Sequence, residues 1–248
     1  MPRRLQAGRG LHGSVVETLG RAIVSGRYAE GTVLPVEAEL GEGLEVSRSV
    51  VREAVRVLAA KGLVEARPMR GTIVRSRREW RLLDPDVLRW WVAVEGEATI
   101  LHDLLEVRAM VEPAAARIAA TRANPADREV LQEAYQALVV SIDELRPFEE
   151  ADQRLHAAIL GVCRNAILDE LGEMVSATLR LGHQAQAHIP GDQAARRRDS
   201  LPLHGQVVSA IVAGHPATAE RHMRELVEAA ARDAELVLGV RPDPGNPS

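Results

Sequence analysis

From Glu97 to Val240, apolar residues recur at helical spacing and at no other. The pattern predicts helices over about 97–121, 125–145, 148–163, 165–189, 200–214 and 216–239. Asn124-Pro125, Arg146-Pro147, Ile189-Pro190-Gly191 and Gly214-His215-Pro216 separate them. A chain so dominated by one periodicity folds as packed helices. Its composition agrees: aromatic residues are only 2% of the 248, so the core must come from Ala, Leu and Val. Cys163 is the single cysteine, which excludes an internal disulfide and argues against a cysteine-based zinc site. The last eight residues, 241–248, are rich in Pro and polar side chains and are expected to be disordered.

The first third reads differently. Leu11 to Arg27 places Val15, Leu19, Ile23 and Val24 on one helical face, and Gly26 ends it. A Gly- and Pro-punctuated loop leads to a short helix from Val36 to about Leu44. Val46-Ser47-Arg48-Ser49 then reads as a turn, with Ser47 as N-cap of a helix that carries Val50, Val51, Val55, Leu58 and Ala59 inward and stops near Gly62. Residues 63–66 and 72–75 read as two short strands around the basic turn Arg67-Pro68-Met69-Arg70-Gly71. Three helices followed by a β-ribbon is the plan of a winged helix-turn-helix. The fold class expected is therefore mainly α: an N-terminal winged helix-turn-helix (8–78), a linker or first helix (79–96), and an all-α bundle (97–240).

Charge follows the same division. Through Trp80 there are 14 Arg and Lys against 9 Asp and Glu; from Arg81 onward there are 17 against 26. A basic head on an acidic body suits phosphate binding, because cations there release the counterions of a nucleic acid. Chance clustering of solvated charges is the plainer reading of the same numbers. Met1 to Gly10 is basic but is not followed by an apolar stretch, and no run of eighteen apolar residues occurs anywhere. The expected location is the cytoplasm, with no membrane partner.

The helix after Ser47 exposes Arg48, Ser49, Arg52 and Arg56, opposite its apolar face. A recognition helix needs this division, since Arg bonds guanine through two donors and Ser reaches bases or phosphate. Ion pairing with Glu45 or Glu53 is the competing surface-helix reading. Taken with Leu34-Pro35-Val-Glu37-Ala-Glu39-Leu40, Ser47 to Leu58, Gly62-Leu63-Val64-Glu65 and Arg70-Gly71-Thr72-Ile73-Val74, about seventy residues resemble the GntR family of bacterial regulators. The resemblance implies DNA contacts at Ser47, Arg48, Ser49 and Arg52 of the helix, and at Arg70 and Gly71 of the wing. Two positions depart from the family pattern. Ala38 stands where many members have Arg, and Met69 replaces the first of two wing glycines.

In the body, Asp152 and His156 lie one helical turn apart on one face. Alone, such a pair is most often a surface contact. Together with His204 and His222 it resembles the FCD ligand-binding domain of the FadR subfamily, in which an Asp and three His hold a divalent metal. The resemblance implies Asp152, His156, His204 and His222 as ligands, with Zn²⁺ leading and Ni²⁺, Mn²⁺ or Fe²⁺ also compatible. Leu105 to Ala115 and Asn165 belong to the same resemblance. Arg108 and Asn165 are the expected effector-binding residues, Arg108 through a bidentate clamp on a carboxylate. A buried ion pair with Glu112 is the rival role for Arg108, and a helix cap that for Asn165. His183 and His188 read as surface or loop positions, with His183 within reach of the cavity.

The segment from Trp80 to Trp91 resembles the linker of sugar-acid-responsive members of the family, which points to a sugar acid, such as an aldonate, as effector. Trp90 and Trp91 read equally well as interdomain or dimer contacts. The expected protein is a homodimeric repressor on a palindromic double-stranded operator, released by a small carboxylate. Two alternatives stand beside it: an activator, and a metal-dependent enzyme using the same Asp and His cluster. Against the enzyme, the chain has no His-Glu-x-x-His motif and no nucleophile elbow.

Overall fold

The computed structural model describes residues 11–186 and 193–238, which form two compact units divided in sequence after Gly96. His188, the start of the expected head at residue 8 and the expected disordered tail lie outside the described residues.

The first unit contains α1 (Leu11–Val24), α2 (Glu37–Leu44), α3 (Arg48–Ala60), β1 (Val64–Arg67), β2 (Gly71–Val74) and α4 (Pro85–Glu95). Val15, Leu19 and Ile23 of α1 meet Val51, Ala54 and Leu58 of α3 in one apolar core, closed by Val64 and Val74 of the ribbon. Ala54 rather than Ala59 faces this core, and Ala59 is exposed. The strands are antiparallel, from Val64 opposite Val74 to Arg67 opposite Gly71, and Val33 adds a bridge to Ile73. The expected head is therefore present with its elements in the expected order.

The segment expected to be a linker or first helix supplies α4 and is built into this unit. Pro85 opens α4, and the Asp84 carboxylate caps it by accepting from the amides of Asp86 and Val87 at 3.0 and 3.3 Å. Trp90 is 1% exposed and lies against α1 at Gly20, where a Cβ would stand 2.3 Å from the indole ring. Arg89 grips both oxygens of Glu17, at 2.8 and 2.7 Å. Lys61, at the end of α3, reaches Asp84 and Asp86 at 2.8 and 2.9 Å. The concentration of apolar side chains after Trp80 is thus a docking face for α1. Trp90 is core to the head rather than an interdomain contact.

The second unit is a bundle of α5 (Glu97–Arg122), α6 (Pro125–Val140), α7 (Leu145–Val162), α8 (Ala166–Gln186), α9 (Gln193–Val212) and α10 (Pro216–Leu238). α5 lies along α10, α7 packs against α6 and α8, and α9 packs against α6 and α10. Pro125 and a reciprocal Asn124–Asp127 capping box begin α6. Several boundaries differ from the sequence reading, and α7 opens at Leu145 rather than 148, taking in Arg146-Pro147, which was expected to separate two helices. α6 stops at Val140, where the Ser141 hydroxyl donates to the Leu138 carbonyl and a short turn follows. α9 begins by Gln193 rather than 200 and runs through Pro202, which lacks one helical donor without ending the helix. No described helix is long and apolar enough to cross a membrane.

Candidate metal and effector cavity, and the nucleic-acid face

Ser47, Arg48, Ser49 and Arg52 all lie exposed along the start of α3, on the side away from its buried residues. Ser47 is the N-cap by backbone conformation, but its hydroxyl pairs with the Ser49 hydroxyl at 2.9 Å and caps no amide. The first-turn amides of α3 therefore keep their capacity to bind a phosphate. Arg56 is tied to Glu53 at 2.6 Å, so it is the arginine of this face that the ion-pair reading fits. At the wing, Arg70 and Gly71 are exposed, and Gly71 has a φ of +91°. Met69, the departure from the family pattern, also has a positive φ of 59°, and its side chain is fully exposed at the tip. The backbone keeps a left-handed turn that a glycine would adopt freely, and a methionine adopts it here at a cost of roughly 1–2 kcal/mol.

In the bundle, Asp152, His156 and His204 come together with one ligand atom each, all within 4.8 Å of one another, and all three are buried. Asp152 and His156 share one face of α7, and His204 arrives from α9. Asp152 Oδ1 stands 2.9 Å from His204 Nε2 and 3.6 Å from His156 Nε2. The two imidazole rings lie nearly perpendicular, at 88°, with centroids 5.7 Å apart.

Hydrogen bonds behind the rings fix which nitrogen faces inward. His156 Nδ1 lies 2.5 Å from Glu112 Oε2, and His204 Nδ1 lies 2.9 Å from the Ser200 carbonyl. Both acceptors require the proton on Nδ1, which leaves the Nε2 lone pairs pointing at the cluster. Asp152 Oδ1 is buried and receives no aligned hydrogen bond, despite its short distance to His204. Three inward lone pairs with their backs held is the arrangement a divalent metal requires, and this donor set fits one. Burial works to raise the Asp152 carboxyl, but the opposing interaction, led by His183 at its Oδ2, outweighs it and holds the group well below the ordinary carboxylate range. Burial likewise opposes ionisation of Glu112, yet Arg108 and His156 bring it down to about 2.

The fourth expected ligand, His222, is not in this cluster. It lines a separate surface groove with Tyr135 and Gly205, and its Nδ1 lies 3.0 Å from Glu225. The residues of α10 that line the cavity are Leu226, Ala229, Ala230, Asp233 and Ala234, the first of them one turn on, about 6 Å along the helix axis. His183 of α8 is the third imidazole near Asp152, with Nε2 3.3 Å from Oδ2, the oxygen on the other side of the carboxylate. Its Nδ1 is buried without a hydrogen-bond partner. Thr178, Leu179, Gly182 and His183 all line the cavity, a helical spacing that was available in the sequence as a signal.

The cluster forms one wall of a pocket of roughly 740 Å³, counting its open mouth, a size that suits a small metabolite. Arg108 lines it, and its guanidinium is paired with Glu112 in a buried contact. Asn165 does not line it. That residue is exposed at the start of α8 and accepts from the Ile167 amide at 3.0 Å, so the cap role is the one the structure favours. Sequence reasoning missed the link from Glu112 to His156, and missed Arg197 of α9, which is 8% exposed and lines the same pocket.

A winged helix-turn-helix on one chain with a bundle holding a carboxylate–imidazole cavity defines a ligand-responsive transcription regulator. Residues 11–74 match the bacterial regulatory proteins of the gntR family, and residues 103–229 match the FCD domain. The chain belongs to the gntR family and to its FadR-like, FCD-containing branch. It is 39% identical over 166 residues to the galactonate operon transcriptional repressor of Escherichia coli K12, covering 67% of this chain and 72% of that one. It is 29% identical over 222 residues to the Glc operon transcriptional activator of the same strain, covering 86% and 84%. Among solved structures, the Listeria monocytogenes regulator described as Lar, which controls the expression of the agr system, superposes with a TM-score of 0.65 at 17% identity. The match covers 94% of this chain and all of that one, and it establishes the shared fold. The family binds DNA operators and its FCD domains bind small-molecule effectors; these proteins are regulators, not enzymes.

Proposed function

We propose that the chain is a homodimeric cytoplasmic repressor that leaves a palindromic operator when a small carboxylate, a sugar acid such as an aldonate, occupies the metal-containing cavity. The observation that carries this reading is the convergence of Asp152, His156 and His204 on the wall of a metabolite-sized pocket. These three would hold the ion, with Zn²⁺ leading and Ni²⁺, Mn²⁺ or Fe²⁺ also compatible. When bound, the metal supplies a Lewis-acidic point to which a carboxylate or hydroxyl oxygen of the effector can ligate. Glu112 and the Ser200 carbonyl hold the two imidazoles in the required tautomer. Arg108, one turn from Glu112 on α5, holds that carboxylate in place in turn.

At the head, Arg48, Ser49 and Arg52 would read base edges and phosphates from the major groove. Ser47 and the wing residues Arg70 and Gly71 would fix register on the backbone. Effector binding would favour a conformation of the dimer that misplaces the two heads, a population shift driven by its differential affinity. The greater identity to a repressor, 39% against 29% for an activator, favours repression, and the operator's position relative to its promoter decides between them.

The test is a gel-shift assay with the metal-loaded full chain and DNA from its own upstream region, titrated with D-galactonate, D-gluconate, glycolate and L-lactate. A shifted band released by one of these acids is the expected result. A band indifferent to all four, or hydrolytic turnover by the purified protein, would sink the proposal.

A further inference from the structure

We infer that Arg197 is the anchor that binds the effector's carboxylate. This rests on the sensor reading above and adds to it the residue that recognises the ligand's carboxylate. The buried cations around the cavity can be accounted for one by one. Arg108 is tied to Glu112, which in turn orients His156, so its charge belongs to the support of the metal site. Arg196 faces the half-buried Asp233, whose ionised form it favours against the cost of burial.

Arg197 differs from both. Its Nε donates to the Ile142 carbonyl at 2.7 Å, and its guanidinium lies 5.9 Å from the centroid of the Phe148 ring. Among the described residues no carboxylate lies within ion-pair distance of it, and its two Nη groups make no hydrogen bond. A guanidinium cannot lose its proton in a protein, so burial without an anion is unfavourable until one arrives. Held through Nε and by the ring face, the fork presents its outer edge ready-made for two parallel bonds to a carboxylate.

The remaining walls are mostly apolar, including Leu101, Leu179 and Leu226, with the Thr178 and Ser200 side chains as neutral polar positions. The planar, two-oxygen edge of a carboxylate matches this fork.

Isothermal titration of the metal-loaded full chain tests the assignment, with D-galactonate, D-gluconate, glycolate, L-lactate, inorganic phosphate and the uncharged polyol galactitol as probes. Wild-type protein is expected to bind at least one of the hydroxy acids well above galactitol and phosphate. Arg197→Gln is expected to weaken the preferred acid by roughly 30-fold or more, leaving metal content and operator affinity unchanged. The preference for acid over polyol should then collapse, a ratio that general destabilisation does not move. Arg197→Lys, which keeps the charge without the fork, should fall between the two. Unchanged acid affinity in either variant, or a preference for phosphate, overturns the role of Arg197. Failure of the wild-type protein to bind any hydroxy acid overturns the sensor reading itself, and this inference with it.

Discussion

His204 Nε2 stands 2.9 Å from Asp152 Oδ1 while the Nδ1 of the same ring is tied to the Ser200 carbonyl. Two acceptor atoms brought so close, with the ring's proton held on the far side, are ordered for a third party between them. His156 repeats the arrangement with Glu112 behind it.

Metal retention follows this geometry. His204→Ala and Asp152→Asn should lose the ion on gel filtration, and Glu112→Gln should weaken it by roughly 10–100-fold through the orientation of His156. His222→Ala should retain it in full. Metal content per chain, with Co²⁺ absorbance as a second readout, checks the series. Loss of metal in His222→Ala would contradict the site described.

Operator binding should depend on Arg48 independently of the cavity. Arg48→Ala should weaken the specific complex by about 1–3 kcal/mol, with metal content and effector affinity unaltered. Fluorescence anisotropy on labelled operator measures it. Binding equal to wild type would remove Arg48 from the interface.

The seat of Trp90 on α1 leaves no room for a methyl group at position 20. Gly20→Ala should destabilise the head by about 1–3 kcal/mol. All three tryptophans, Trp80, Trp90 and Trp91, belong to this unit, so their fluorescence reports its unfolding selectively. An unchanged denaturation midpoint would show that the ring is not held there.

Acid should loosen the same contact. The Glu17 carboxyl lies at about 2, chiefly because Arg89 bonds it and despite partial burial. A carboxyl depressed in the folded state stabilises above its unfolded value, and that contribution is lost as pH falls from about 4.5 towards 2. Stability of the head should therefore decline over that window in wild type and decline less in Glu17→Gln. Tryptophan fluorescence against pH provides the comparison, and identical profiles would exclude the pair as the cause.

The head was readable because its signals are local. α3 carries its arginines opposite its valines, and Gly71 punctuates the ribbon, so spacing alone located both. The body was readable in outline and less so in detail. Asp152 and His156 are four apart on one helix, which fixes their shared face. Periodicity along α10 gives no depth within the bundle, so it could not choose between His222 and a residue one turn on. Arg197 was hidden for a different reason. Pro190 and Gly191 read as breakers and the next helix was expected from residue 200, which put residue 197 in a loop, whereas α9 carries it into the cavity wall. The role of α4 was obscured because a docking face for α1, an interdomain contact and a dimer contact have the same apolar appearance in sequence.

The docking of α4 decides where this protein can be cut. Val87 and Trp90 are almost wholly buried, and Lys61 at the foot of the reading helix is clasped by Asp84 and Asp86. An excised fragment ending at residue 78, where the ribbon suggests a boundary, would bare an oily groove along α1 and leave Lys61 without its partners. A fragment carried on to Gly96 keeps both. The shortest autonomous reader of DNA in this chain is therefore a four-helix piece, and α4 is the handle by which anything downstream would have to turn it.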